Sequence, residues 1–322
     1  MDCHASHTVY GHTLPYTING LPFFICSIAY FVISAVLGWT ELSFIAKSWG
    51  DIILAVNVFA WLLTGVAFIK GRVAPSYKYD IRENGSYILD IWRGIELHPR
   101  FGVAWDLKVF HKGRWTMTAL VMIDISFAAL QWEIYGYITS TMMCVVLLRS
   151  LLTADFFAKE EWHLRSTDVC DESLGFYFAW GSGVFIPTIY TLQTQYLAMN
   201  PIQLPFTHTI LIFFLGITGF AVYYFATEQK NAVYDTKGAD DVGGAKAQFI
   251  RASYKTTDGL KRESFLLCSG LWKHIRHPDY LGVLIVTYAI CAREERICER
   301  NYGRDWGVYC RIVRWKLIPG LY

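Results

Sequence analysis

Six stretches of the chain are nearly continuous in apolar residues: Leu21 to Ala46, Ile52 to Ile69, Trp115 to Tyr135, Gly136 to Phe157, Leu174 to Met199 and Thr209 to Phe225. Crossing a hydrocarbon core of about 30 Å takes roughly 20 apolar helical residues, each rising about 1.5 Å. The blocks come close to that length. The pattern therefore predicts an all-α, polytopic helical membrane protein with about six spans. It divides the chain into an N-terminal segment (1–20), a transmembrane region (21–228) and a polar C-terminal region (229–322). Within that last region one apolar run, Leu281 to Cys291, has about half the length a span needs. The first block follows a segment without a basic stretch, which does not fit a cleavable signal.

Polar residues inside the blocks stand out because they are costly in lipid. Asp124 sits within "LVMIDISFAAL", and Arg149 and Asp155 within "VVLLRSLLTADFF". Two readings stay open for them: pairing with one another or snorkelling to the interface, or lining an intramembrane cavity. The fifth block combines Gly175, Gly181, Gly183 and Pro187 with Tyr177, Tyr190, Gln193, Gln195 and Tyr196. Close helix approach, a proline kink and several hydrogen-bonding groups suit a pocket for a mostly apolar ligand with one polar end.

Composition agrees with a membrane location: 54% of the 322 residues are hydrophobic and 17% charged, against about 25% charged in soluble domains. The net charge of +2 says little, but its distribution says more. Nine Lys and Arg lie from Lys70 to Arg114 and sixteen from Ala226 onward, whereas the connection "NPIQLPFT" has none. With alternating spans, these basic connections fall on one side, and the opposite side has Lys47 alone. The positive-inside rule makes the basic side cytosolic and predicts both termini there.

Eight cysteines are present; most fall in spans or on the reducing side, so structural disulfides are not expected. Cys3, His4, His7 and His12 cluster near the N-terminus at a spacing that fits no zinc module, and no metal is assigned. After the sixth block, Lys230, Lys255, Arg276 and His277 interleave with Tyr254, Trp272 and Tyr280. Such a mixture suits a ligand with phosphates and flat rings, and equally suits anionic lipid head groups. Neither a Rossmann nor a P-loop glycine pattern occurs. No nucleic-acid partner is expected.

Two motifs carry a resemblance. "GSYILDIWRGIELHPRFG", from Gly85 to Gly102, resembles the first signature of the membrane sterol reductase family, with His98 where Asn is usual. "REERICERNYGRDWGVY" resembles the second, with Glu294 for Asp and Asn301 for Lys. Within the family, "YTLQTQYLAMNPIQL" and "ASYKTTDGLKRESFLLCSGLW" look most like the branch that reduces the C7=C8 bond of 7-dehydrocholesterol to give cholesterol. The resemblance implies reduction of a sterol ring double bond by NADPH at the endoplasmic reticulum membrane. The sterol would enter from the bilayer and the cofactor from the cytosol.

Carried over by position, the family's cofactor residues fall on Lys230, Leu267, Trp272, Asp279 and Tyr280. They continue at Glu294, Cys298, Glu299, Arg300, Asn301, Tyr302 and Tyr309. The resemblance secures no proton donor; Asp124, Glu172 and Tyr177 are candidates by position. Departures accumulate: Tyr234 replaces a basic residue, Asp279 an asparagine, Ser182 and Val283 acidic residues. The run from Leu281 to Cys291 resembles the remnant of a longer family segment, and an N-terminal span usual in the family does not precede "YTING". These departures imply slow turnover or none. A silent sterol-binding relative resembling the membrane half of the lamin B receptor stays open, as does a prenylcysteine-type methyltransferase.

Overall fold

The computed structural model describes residues 2–4, 14–102, 105–238, 241–242, 245–255, 261–275 and 277–286. Each apolar block yields helix: α1 (Gly20–Val36), α2 (Trp49–Val73), α3 (Leu107–Tyr135), α4 (Ser140–Ala158), α5 (segments between 176 and 199) and α6 (Phe206–Asp235). Among the described residues, α2, α3, α4 and α6 are long and apolar enough to cross a membrane. Against the six or so spans expected, four of the described helices have spanning length.

The two shortfalls have local causes. α1 stops after 17 residues because Gly38 takes a left-handed φ of 72° and the polar "WTEL" stretch turns the chain before a short helix, Phe44–Lys47. α5 is irregular at three points. Pro187 has no N–H to give to the helix ladder, and the turn at Gly181–Phe185 is wound as a π-helix. Thr191 then breaks the path, its hydroxyl donating to the Pro187 carbonyl at 2.6 Å.

Helix ends follow the sequence closely elsewhere. α3 begins where the Asp106 carboxylate accepts from Val109 N at 3.0 Å and ends on Gly136, whose φ of 75° forms a left-handed cap. Thr139 then caps α4 by accepting from Met142 N at 3.3 Å. The N-terminus of α1 is held by a remote carboxylate: Gly20 N donates to Glu160 Oε2 at 2.8 Å, and Glu160 also pairs with Arg114.

α3 is the enclosed centre of the bundle, packed by α1, α4, Phe44–Lys47 and the Leu192–Met199 part of α5. Ile123, Phe127, Leu130, Met142, Val145 and Leu197 form its largest apolar core. α6 lies outside α4, where Gly216 leaves room for Leu148. Its Leu211, Phe214 and Phe225 remain exposed, as lipid-facing residues are. Helical residues 278–286 dock on α6 where two glycines meet: a Cβ on Gly219 would lie 2.8 Å from the Gly282 carbonyl.

The all-α expectation holds for the membrane helices and gives way beyond α6. Phe249–Lys255 and Lys261–Leu267 pair antiparallel, with Ile250 opposite Leu266. Both strands mix β-branched or aromatic residues with charged ones, as a two-sided ribbon does. Asp2–His4 and Pro15–Thr17 form a second, shorter ribbon.

Candidate functional site

The first family signature folds into a buried knot. Ser86 caps the short helix Tyr87–Arg93, and Gly94 follows with φ 83° and ψ 156°, a region essentially restricted to glycine. A Cβ there would come 2.5 Å from the Leu174 carbonyl carbon. From Gly94 to Arg100 every residue is buried. Three polar side chains alternate along this extended stretch, and each finds partners. Glu96 takes both oxygens to Lys70 Nζ at 3.0 Å and accepts from Ser76 N at 2.6 Å. His98 Nδ1 lies 2.8 Å from Asp106 Oδ2, which also accepts from the Tyr16 hydroxyl at 2.6 Å. The Arg100 guanidinium lies over the Tyr16 ring, 4.4 Å from its centre.

Electrostatics tighten this node. Burial, with the charge of Lys108 added, pushes His98 down to about 4. Burial alone would raise the Asp106 carboxyl, but His98, Lys108 and the Tyr16 hydroxyl hold it well below the usual carboxylate range. Burial and Asp106 together push the Tyr16 phenol above its ordinary value. The node thus holds a neutral imidazole against a carboxylate and locks the N-terminal ribbon to the start of α3.

Beside it, inside the helix bundle, lies a cavity of about 580 Å³. Phe23 and Tyr30 of α1, Ile52 and Val56 of α2, Trp115 and Met122 of α3, and Gly183 and Pro187 of α5 form its wall. Its size falls in the range of small-molecule sites, and its wall is largely apolar. Two π-helical turns meet at its edge, Phe110–Thr116 in α3 and Gly181–Phe185 in α5. His111 Nε2 lies 2.9 Å from the Ala179 carbonyl, and the Thr116 hydroxyl donates to the Ser182 carbonyl at 2.8 Å. A Cβ on Gly183 would come 2.7 Å from the His111 ring, so only glycine permits this approach. π-turns inside α-helices recur at functional sites.

The pocket expected in the fifth block is therefore built differently. Gln193 accepts from Arg149 at 3.0 Å, and Gln195 accepts from Trp49 Nε1 at 3.1 Å. Tyr190 and Tyr196 face outward. These polar groups bind helices together, and the cavity wall takes Gly183, Pro187 and Thr188 instead.

Of the three candidate proton donors, none is on that wall. Asp124 is fully buried, 2.5 Å from Arg149 Nε, and accepts from the Thr194 hydroxyl at 2.7 Å; of its two open readings, mutual pairing prevails. Glu172 is exposed, its carbonyl accepting from Lys108 Nζ at 2.7 Å. Tyr177 is 61% exposed, its ring near Trp92 at 6.3 Å.

Of the cofactor positions carried over, two are brought together. Lys230 Nζ on α6 lies 5.4 Å from the centre of the Trp272 ring, and Trp272 is fixed by donating Nε1 to the Ala226 carbonyl at 2.9 Å. Leu267 packs beneath, against Val233 and Val242. Tyr280 is exposed and stacks on His277 at 4.9 Å. Asp279 Oδ1 is buried without a hydrogen-bond partner among the described residues. Glu294, Cys298, Glu299, Arg300, Asn301, Tyr302 and Tyr309 lie outside the described residues. Sequence reasoning missed the Tyr16 node and the α1–α2 wall of the cavity. Only the alternation of Glu96, His98 and Arg100 hinted at the former.

The model of the "Ergosterol biosynthesis ERG4/ERG24 family" matches residues 6–293. The 7-dehydrocholesterol reductase of Danio rerio is 32% identical, over 95% of this chain and 70% of its own length. A probable 7-dehydrocholesterol reductase of Acanthamoeba polyphaga mimivirus is 34% identical, over 97% and 74%. The Delta(14)-sterol reductase of Methylotuvimicrobium alcaliphilum is 29% identical, over 97% and 76%. Matched along nearly its whole length, and with the first signature forming the buried knot at the head of its helices, the chain belongs to the ERG4/ERG24 family of sterol reductases.

Proposed function

We propose that this chain reduces the C7=C8 double bond of a sterol such as 7-dehydrocholesterol with NADPH, at the endoplasmic reticulum membrane with both termini cytosolic. The observation that carries this reading is the apolar cavity among the helices, of a size to take a rigid hydrocarbon from the bilayer. Preference for C7 over C14 is supported by identities of up to 34% to relatives named for 7-dehydrocholesterol, against up to 29% for those named Delta(14)-sterol reductase.

The residues beyond α6 suit the cofactor. The Lys230 ammonium would meet a phosphate, the Trp272 face would pack on a flat ring, and the unpartnered Asp279 oxygen would accept from a hydroxyl or amide. Once bound, NADPH would supply the hydride. The chain's own part is to hold the sterol away from water and to deliver a proton to the other carbon. Apart from Arg114 and indole N–H groups, the hydrogens the cavity wall offers are hydroxyls, of Ser27, Tyr30, Thr118 and Thr188. Among the described residues that wall carries no carboxylic acid, which favours a second reading, a sterol-binding relative without turnover.

Membranes carrying the chain, given NADPH and 7-dehydrocholesterol, should lose the 5,7-diene absorbance; a Δ14-unsaturated sterol tested alongside should react more slowly. Lys230→Ala should raise KM for NADPH by about tenfold or more, the worth of a charge-assisted contact, while KM for sterol stays put. Faster reaction of the Δ14 substrate, or equal effects of Lys230→Ala on both substrates, would refute this assignment. Sterol binding with no absorbance loss would establish the second reading.

A further inference from the structure

Three polar groups on the cavity wall are already engaged. The Ser27 hydroxyl donates to the Phe23 carbonyl at 2.8 Å, Trp49 Nε1 donates to Gln195, and Arg114 pairs with Glu160 and Asn19. Thr118 differs. It lies on the wall, is 5% exposed, and its Oγ1 has no hydrogen-bond partner among the described residues.

Five other threonines in or at the ends of helices do not share that state. Thr64, Thr191, Thr218, Thr227 and Thr236 each donate to the carbonyl four residues before. The same bond for Thr118 would go to Arg114, whose carbonyl accepts from Met117 N where the π-turn ends. Thr118 follows directly on the end of the π-turn, and its hydroxyl stays unpaired in an apolar wall among the described residues. Burying an unpaired hydroxyl is unfavourable, and it becomes favourable when a ligand brings a matching group.

The geometry points to Thr118 as the polar anchor of the cavity, a residue whose hydroxyl pairs with the single hydroxyl of a bound sterol. This rests on the sterol reading of the cavity. The oxygen is enclosed as it stands, so pairing with a ligand takes a turn about χ1 between threonine's two helical rotamers toward the cavity that Thr118 lines. Because it gives up no internal hydrogen bond in doing so, the whole contact counts toward affinity. Thr118 is a specificity residue on this view: it selects an apolar molecule bearing one donor or acceptor over the bare hydrocarbon.

The test is equilibrium binding of radiolabelled 7-dehydrocholesterol and its 3-deoxy analogue to the full chain in lipid nanodiscs. The parent should prefer the hydroxylated ligand by about tenfold, the worth of one good hydrogen bond. Thr118→Val, nearly the same shape, should abolish that preference, and Thr118→Ser should retain it. Ala119→Trp, which fills the cavity, should block both ligands. If Thr118→Val keeps the preference, the anchor is elsewhere and the inference fails while the sterol reading stands. If the parent binds neither ligand, or Ala119→Trp leaves binding intact, the cavity is not the sterol site and both readings fall.

Discussion

Replacing Asp124 with asparagine should destabilise the bundle, whatever the chemistry. Its carboxylate is fully enclosed between α3, α4 and α5, with Arg149 Nε at 2.5 Å and the Thr194 hydroxyl at 2.7 Å. Arg149 has one further hydrogen bond, to Gln193 Oε1 at 3.0 Å. Removing the carboxylate leaves a guanidinium in an apolar interior, and breaking such a pair from one side costs about 3–5 kcal/mol. For domains somewhat smaller than this chain, each kcal/mol moves Tm by about 2–4 °C, so Asp124→Asn should lower it by on the order of 10 °C. Removing both charges is a different perturbation. Asp124→Leu with Arg149→Met keeps the volume and should be neutral or stabilising. The assay is thermal unfolding of purified protein in detergent, with sterol reduction measured on the same samples. A single variant melting within about 2 °C of the parent, or a double variant that fails to recover, would refute the argument. A double variant that regains Tm and stays inactive would return Asp124 to the list of proton donors.

Gly94→Ala should lower Tm by a comparable amount, because the glycine-only backbone costs about 1–3 kcal/mol and its methyl would collide with Leu174; an unchanged melting curve would contradict the close approach. His98, pushed down to about 4 from an ordinary value near 6.5, is neutral when folded and takes up a proton on unfolding. Its share of the stability is therefore complete above about pH 6.5 and is lost as pH falls toward 4. Tm measured from pH 7.5 to 4.5 should fall less steeply in His98→Asn than in the parent, with His163, held down to about 3 by burial and nearby Lys112 and Arg114, supplying the slope that remains; identical slopes would exclude His98.

The apolar blocks located all six helical regions because burial in lipid leaves a signal in every residue of a span. The breaks within them were harder to read. Pro187 and the paired glycines marked the fifth block as irregular, yet their meaning depended on His111, some 70 residues earlier in the chain. Lys230 and Trp272 were matched to cofactor positions by motif, and the fold brings them within 5.4 Å. The Tyr16–Asp106 bond, across 90 residues, is the kind of contact that no local pattern carries. Asp124 and Arg149 were visible as costly residues. Only the packing of α3 on α4 told their mutual pairing apart from the lining of an intramembrane cavity.

The π-turn in α3 also sets an angular phase. Each residue advances an α-helix by about 100°, and a π-turn lets one residue be taken up without rotating what lies on either side. Above it, Lys108 is clamped to the Val169 and Glu172 carbonyls. Below it, Asp124 must face Arg149, and Gln131 must reach the Leu197 carbonyl at 2.5 Å. A regular helix through Phe110–Thr116 would put these two sets out of step by about 100°, so one of them would point into lipid. The turn works as a coupling between two rotational settings. Losing a single residue there is a coordinated twist of the lower half of α3, felt at once by every partner that half of the helix has.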